Sequence, residues 1–112
     1  MILIYIKNKS KMSQTKNKIP YVFKVAGVSF YQEVINTLKE NQELKLEKDP
    51  NNKFDKNAVK ILTEENNHIG FVPKEFNISI GIKFEKIRNK YKLKVKNIHK
   101  WDGPTGVEVE FS

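Results

Sequence analysis

Cysteine is absent from this chain of 112 residues, and histidine occurs only as His68 and His99. The lack of cysteine excludes disulfides and thiolate metal sites. Two histidines so far apart in sequence do not predict a zinc site either. We therefore expect no bound metal and no cofactor, and we expect both histidines on the surface.

Long apolar runs and catalytic motifs are also missing. No apolar run approaches the length of about 18 residues that spans a membrane, and the apolar opening, residues 1–6, is too short for a secretory signal. The absence of a GxxxxGK(S/T) phosphate loop excludes a P-loop ATPase. Asp49 and Asp55 flank one loop, but a two-metal nuclease needs several acids from different strands. The sequence predicts a soluble, cytoplasmic binding module with no membrane contact, and not an enzyme.

Positive charge is concentrated in two blocks of a chain whose net charge is +8. Residues 1–24 carry six lysines and no acid, and residues 82–100 carry seven lysines, one arginine and one glutamate. The middle of the chain, residues 25–81, has seven basic and nine acidic residues. Such blocks favour a phosphate backbone as the partner. The alternative is that lysine, abundant here alongside asparagine, simply fills solvated faces.

The pattern of apolar residues predicts one domain after a tail. Residues 7–19 are polar, basic and aperiodic, so we expect a disordered basic arm over residues 1–19 and the domain over residues 20–112. Alternating or β-branched segments predict six strands, and apolar residues at helical spacing predict helices over residues 30–40 and from Pro73 to about Ile87. The order β-α-β-β-β-α-β-β favours an α+β fold, mainly β with two short helices. We expect a six-stranded, partly closed barrel similar to an OB-fold.

The fifth predicted strand carries a row of lysines. Lys90, Lys92, Lys94 and Lys96 alternate with apolar residues, which predicts one buried face and one lysine-lined face. We expect these four lysines to form a secondary basic track for nucleic acid.

The loop over residues 48–57 is the most informative part of the chain. It combines an aromatic residue, Phe54, with the carboxylate of Asp55 and the amides of Asn51, Asn52 and Asn57. A simple turn needs only a glycine or asparagine at a position of positive φ, and loops on a rigid scaffold often carry binding groups. Two interpretations stay open: a ligand-binding loop, or an Asx-turn in which Asp55 and Asn57 bond the loop's own backbone.

Three sequence blocks occur in a fixed order: Gly27-Val28-Ser29-Phe30-Tyr31, then residues 48–61, then Ile69-Gly70-Phe71-Val72-Pro73-Lys74-Glu75. Together they closely resemble the HIRAN domain, over roughly residues 21–112. HIRAN domains occur in helicase-like chromatin remodellers and as small stand-alone proteins of bacteria and phages. The resemblance implies a modified OB-type barrel that captures single-stranded DNA at a free 3′ end, in DNA repair or replication-fork processing.

The resemblance also implies roles for aromatic residues. Phe30 and Tyr31 match a pair of aromatics, one of which stacks on a base, and Phe54 matches the loop aromatic that packs on the terminal nucleotide. Phe71 falls where the DNA-binding remodeller has a histidine. Phenylalanine for tyrosine at positions 30 and 54 keeps a stacking face and loses a hydroxyl. Weaker or less end-specific binding follows from these departures.

Three polar residues complete the implied site. Asp55 matches the acid that accepts a hydrogen bond from the 3′ hydroxyl, and Asn52 matches an amide of the same loop that contacts DNA. Lys74 matches the basic residue that meets a phosphate.

Several alternatives remain open at this point. The strand after Ile69 can point Phe71 into the core, and Trp101, beside a Gly/Pro turn, is either a hydrophobic plug or an exposed stacking wedge. At the level of function, the alternative to DNA-end capture is a protein-interaction or targeting subunit. Such a subunit would serve a separately encoded helicase or nuclease, with the lysine-lined strand facing an acidic partner.

Overall fold

Six antiparallel strands form one sheet in the computed structural model, which describes residues 19–112. Along the sheet the strands follow the order β1-β6-β5-β2-β3-β4. Their bounds are β1 Val22–Lys24, β2 Glu43–Lys48, β3 Val59–Thr63, β4 His68–Phe71, β5 Leu93–His99 and β6 Gly106–Phe111. The predicted number and order of strands are confirmed.

The two edges of the sheet meet at a single point. Just after β1, Ala26 pairs with Phe71 at the end of β4, and the two residues exchange backbone hydrogen bonds of 2.8 Å in both directions. Because β1 and β4 are the two edge strands, this bridge joins the edges without a full ladder between them. The sheet is therefore curved and nearly closed but is not a continuous barrel.

Gly70 makes this closure possible. Its φ is +151°, and a Cβ at this position would lie 2.5 Å from the carbonyl oxygen of Ala26. A side chain here would push β4 away from the segment after β1 and displace Phe71, the next residue.

We expect Gly70→Ala to lower the free energy of unfolding by at least about 1–3 kcal/mol, the usual cost of a strained backbone conformation. Gly81→Ala is the matched control because Gly81 lies inside a helix with nothing within 4 Å of an added Cβ. That substitution should stabilise the domain by about 0.5–1 kcal/mol. Urea denaturation of both variants measures the difference, and equal midpoints would contradict the role given to Gly70.

Helical segments within residues 19–112 are shorter than the sequence predicts. A 3₁₀ turn, Val28–Phe30, leads into the single-turn helix α1, Gln32–Ile35. The predicted helix over residues 30–40 is therefore wrong in length. After Ile35 the backbone N–H groups of Thr37 and Leu38 bond three residues back, to Val34 and Ile35, and the Thr37 hydroxyl also donates to the Val34 carbonyl oxygen, so the α-helical pattern ends there.

The second predicted helix is divided in two, α2 Lys74–Ile82 and α3 Phe84–Lys90. The break falls at Lys83, whose φ of −100° and ψ of 21° depart from helical geometry. Ile80 near the end of α2 and Phe84 and Ile87 of α3 are all buried in the core. None of the helices among residues 19–112 is long and apolar enough to cross a membrane.

The core lies between the curved sheet and the helices. Its fully buried side chains are β-branched, as expected for a curved sheet with tightly packed inner faces. They are Ile35, Val59, Ile61, Ile69, Ile80, Val95, Val107 and Val109. Ile19 also packs against this core, whereas residues 1–18 of the predicted arm lie outside the described residues. The arm itself stays a prediction.

The predicted row of four lysines on one strand is wrong for its first half. Lys90 is the last residue of α3, and Lys92 precedes β5 and pairs with Glu43 at 3.2 Å. Only Lys94 and Lys96 lie on β5, where Lys94 is half-buried opposite Glu43, and the strand is irregular at Lys96. The helix continues to residue 90, so the alternation seen in the sequence begins before the strand does.

Candidate functional site

An open cavity of about 500 Å³ lies where three segments converge. These segments are the turn after β1, the loop between β2 and β3, and the junction of β4 with α2. The cavity is lined by all seven residues that the sequence selects: Phe30, Tyr31, Asn52, Phe54, Asp55, Phe71 and Lys74. The structure thus brings them together, although their roles stay predictions.

Two phenylalanines at this cavity are almost fully exposed. Phe30 is 83% exposed and Phe54 is 94% exposed. Large aromatic side chains usually bury most of their surface, and an exposed apolar patch beside a concavity marks a binding surface. Neither ring can contribute much to the core, so both are available to a flat, apolar ligand.

Asn52 organises the loop that carries Phe54. Its side-chain oxygen accepts hydrogen bonds from the backbone N–H groups of Phe54 (2.9 Å) and Asp55 (3.0 Å). Its amide nitrogen donates to Asp49 at 3.0 Å. These bonds give a structural role to one of the loop's amides, and they use most of the hydrogen-bonding capacity of the Asn52 side chain within the loop.

Within residues 19–112, no group of three or more His, Asp or Glu side chains could hold a metal ion.

Asp55 is held by both of its carboxylate oxygens. Oδ1 accepts from the backbone N–H of Asn57 at 2.9 Å, and Oδ2 accepts from the side-chain amide of Asn77 at 2.8 Å. These two bonds, with a smaller contribution from the charge of Lys74, lower the pKa of the Asp55 carboxyl below its ordinary value. The Asx-turn, one of the two interpretations left open by the sequence, is therefore present at Asp55, and the same carboxylate also lines the cavity.

The Asp55 carboxylate keeps capacity for a ligand. An ionised carboxylate accepts about four hydrogen bonds, and two are used by Asn57 and Asn77. The fixed orientation means that a ligand's hydroxyl or amine meets a preorganised acceptor. A ligand phosphate would meet a negative charge.

Asn77 was missed by the sequence analysis. It lies on α2, is only 3% exposed, and bonds to a residue 22 positions earlier in the chain. The available signal was a polar residue on the apolar face of the predicted helix, three positions before Ile80. Buried polar side chains are almost always paired, so this position pointed to a partner without identifying it.

One wall of the cavity is a cluster of rings. The ring of His68 lies 4.2 Å from that of Tyr31 and 4.7 Å from that of Phe71, measured between centroids. Its Nε2 is 2.8 Å from the carbonyl oxygen of Gly70, and burial lowers the pKa of His68. His68 is thus partly buried behind the cavity, and its expected surface position is wrong. Phe71 is partly exposed and contributes to the cavity and not to the deep core.

Lys74 lies at the cavity, whereas Trp101 lies away from it. Lys74, the first residue of α2, is exposed and supplies positive charge at the rim of the cavity. Trp101 lies elsewhere, 70% exposed, with its Nε1 donating to the carbonyl oxygen of Pro104 at 2.8 Å. Its ring covers Gly103, so it caps its own turn and is not a core plug.

Residues 20–95 match the family model described as the HIRAN domain. The chain belongs to the HIRAN domain family. The match includes every residue that lines the cavity and ends within β5, so the predicted membership is confirmed.

Curated relatives of this HIRAN domain include the helicase-like transcription factors. The human protein is 39% identical over 51 residues and the mouse protein 32% identical over 57 residues. These alignments cover 46% and 51% of this chain. The chain spans only 5% of the length of these relatives.

Solved structures share the fold. The HIRAN domain of human HLTF superposes with a TM-score of 0.57 at 24% identity, covering 80% of this chain and 72% of that one. A protein from Lactobacillus plantarum gives a TM-score of 0.55 at 15% identity, covering 83% of this chain and 93% of its own. At these identities the likeness concerns the fold alone.

Proposed function

We propose that this HIRAN domain binds single-stranded DNA and captures its free 3′ end, as a module of DNA repair or replication-fork processing. The observation that carries the proposal is the cavity itself. Two exposed phenylalanines, a fixed carboxylate and a lysine face one open space. This combination suits a ligand with flat bases, a hydroxyl and a phosphate, and it supports a binding role and not a catalytic one.

The exposed rings supply affinity without sequence preference. Each base that stacks on an aromatic side chain contributes about 1–3 kcal/mol, and every base has a face that can stack. Phe30 and Phe54 have the exposure that stacking requires. Replacing tyrosine by phenylalanine at these positions costs a hydroxyl and leaves the stacking surface intact.

The carboxylate supplies the preference for an end. Asp55 would repel the phosphates of a continuous strand. A carboxylate in a DNA-binding cavity is therefore favourable only where a hydrogen-bond donor of the DNA faces it. A terminal 3′ hydroxyl is such a donor and is followed by no phosphate. Lys74, which also lines the cavity, suits the phosphate that precedes the terminal nucleotide.

The test compares three ligands of the same sequence: an oligonucleotide with a 3′ hydroxyl, one with a 3′ phosphate, and a closed circle. We expect the unmodified protein to bind the free hydroxyl at least about tenfold more tightly than the other two, the ratio that one charge-assisted hydrogen bond supports. Competition measured by fluorescence anisotropy gives the three affinities. Equal binding of circles and open ends would exclude end capture.

A second candidate function is targeting of a separate enzyme. The curated relatives are far longer than this chain, which matches only 5% of their length. In them the matching segment therefore accompanies other parts of a helicase-like protein. A small HIRAN domain could serve a separately encoded helicase or nuclease in the same way. Affinity purification of the tagged protein from its native cells tests this, and recovery of no helicase or nuclease would argue against it.

A further inference from the structure

A second concavity adjoins the cavity and is lined by residues of α2 and of the loop between β2 and β3. It has a volume of about 350 Å³, and it shares the lining residues Ala58 and Asn77 with the cavity. We call this second concavity the α2 groove. Because Ala58 and Asn77 line both concavities, the two lie side by side, and a strand whose terminal nucleotide occupies the cavity is near enough to place the nucleotides that precede it in the groove.

The floor of the α2 groove is apolar. Ile78 is 57% exposed and Ile82 is 73% exposed, and they lie one helical turn apart. Between them, Gly81 leaves the helix surface open, since nothing lies within 4 Å of a Cβ added there. Two exposed isoleucines beside an open helix surface provide a flat apolar platform that water solvates poorly.

The rim of the groove is positively charged. Lys48 and Lys56 both line it and are exposed. Across residues 19–112, no carboxylate lies within 4.0 Å of either amine to form an ion pair. This distinguishes them from Lys92, which pairs with Glu43.

Lys48 shares an aromatic ring with a second cation. Its Nζ lies 5.4 Å from the ring centroid of Phe84, and the guanidinium carbon of Arg88 lies 5.9 Å from the same ring. Two cations that converge on one ring create a strongly positive spot. Glu85 neutralises only part of it, through its pairing with Arg88 at 3.7 Å.

We propose that the α2 groove binds the nucleotides adjacent to the captured end of the single strand. Their bases or sugars lie on Ile78 and Ile82, and their phosphates contact Lys48 and Lys56 and reach the Lys48–Arg88 pair. This inference rests on the proposed function, because it extends the path of the same ligand. An apolar platform bordered by the unpaired Lys48 and Lys56, next to an aromatic cavity, is chemistry that suits single strands.

The test varies the length of the ligand. Oligothymidylates of about two and about eight nucleotides, both with a free 3′ hydroxyl, separate the cavity from the groove. The unmodified protein should bind the longer ligand at least tenfold more tightly. The double variant Lys48→Glu/Lys56→Glu should lose that gain and keep the affinity for the shorter ligand. Loss of two phosphate contacts should also reduce the salt slope for the longer ligand by about 1.4, at roughly 0.7 per contact on a single strand.

The double variant Lys39→Glu/Lys100→Glu is the matched control. It makes the same change in net charge at two exposed lysines that line neither the cavity nor the groove. We expect it to preserve the length dependence. If both double variants weaken binding of the longer ligand equally, general charge attraction explains the gain and the proposed groove is contradicted.

Ile78→Ser/Ile82→Ser tests the platform independently. Both side chains are exposed, so the melting temperature should change little, while the gain from the longer ligand should fall with an unchanged salt slope. Equal binding of both lengths by the unmodified protein would contradict nucleotide binding in the α2 groove but not end capture in the cavity. If the shorter ligand does not bind at all, the proposed function fails first.

Discussion

Replacing Phe30 and Phe54 together with alanine should remove most of the affinity for single-stranded DNA and leave the fold intact. Each ring is expected to contribute about 1–3 kcal/mol through stacking, or roughly fivefold to 150-fold in the dissociation constant. The two rings are 83% and 94% exposed, so their removal creates no cavity in the core. Binding by fluorescence anisotropy and unfolding by circular dichroism measure the two effects separately.

The design includes an aromatic control. Tyr21 is 73% exposed and does not line the cavity, so Tyr21→Ala removes a similar ring from a different surface. We expect it to bind like the unmodified protein. Phe54→Trp should preserve or raise the affinity because indole also stacks. A double alanine variant with unchanged affinity would show that the exposed rings do not carry the binding.

Much of the sheet could be predicted from the sequence because the period of a strand is local. In β6, Val107 and Val109 are buried while Glu108 lies on the other face, as simple alternation indicates. The same kind of local pattern led to the other predicted strands, and their predicted number is the number observed. Each of these strands needs only its own apolar pattern to be recognised.

The helices and the lysine row were harder to predict because distant contacts decide them. α1 ends after one turn in a segment whose apolar spacing continues to Leu38, which is buried although it is not helical. Lys90 falls in a helix because α3 brings Ile87 into the core before the chain turns into β5. Apolar spacing alone cannot show where such a helix stops.

The residues of the candidate site also fall into two groups: those that a local sequence pattern reveals and those that only distant contacts bring near. Asn52, Phe54 and Asp55 were found because one loop carries them, and their amide and carboxylate chemistry is visible in the sequence. Asn77 and His68 lie on other elements. Asn77 donates a hydrogen bond to Asp55, and the His68 ring contacts the rings of Tyr31 and Phe71. Only the folded chain brings these partners together.

Asp55→Asn should abolish the preference for a 3′ hydroxyl over a 3′ phosphate. The asparagine retains an oxygen for the backbone N–H of Asn57, and a flip of the Asn77 amide can restore the second hydrogen bond. The loop should therefore persist while its charge is removed. We expect the hydroxyl end to bind more weakly and the 3′-phosphate end to bind more tightly, so that the ratio of at least about tenfold falls towards one.

Asn77→Ala is the matched positioning variant for this experiment. It keeps the negative charge of Asp55 and removes the bond that orients Oδ2. If charge alone selects the end, this variant keeps the full preference. If orientation matters as well, it shows a smaller preference than the unmodified protein, with discrimination against the 3′ phosphate largely retained.

Stability and end preference, measured together across pH, separate a ligand-binding carboxylate from a purely structural one. The pKa of Asp55 is lowered, so its contribution to stability is present above the pKa of the unfolded chain and is lost as the pH falls through the lower folded value. The preference for a 3′ hydroxyl over a closed circle should therefore stay constant from neutral pH down to about pH 5, above the ordinary aspartate pKa of about 3.9, because the phosphodiesters of the circle do not change charge in this range. Thermal melts of Asp55→Asn across this range accompany the titrations. A variant that loses stability but keeps its preference for the 3′ hydroxyl would make Asp55 a structural residue of the loop and would remove it from the recognition of DNA ends.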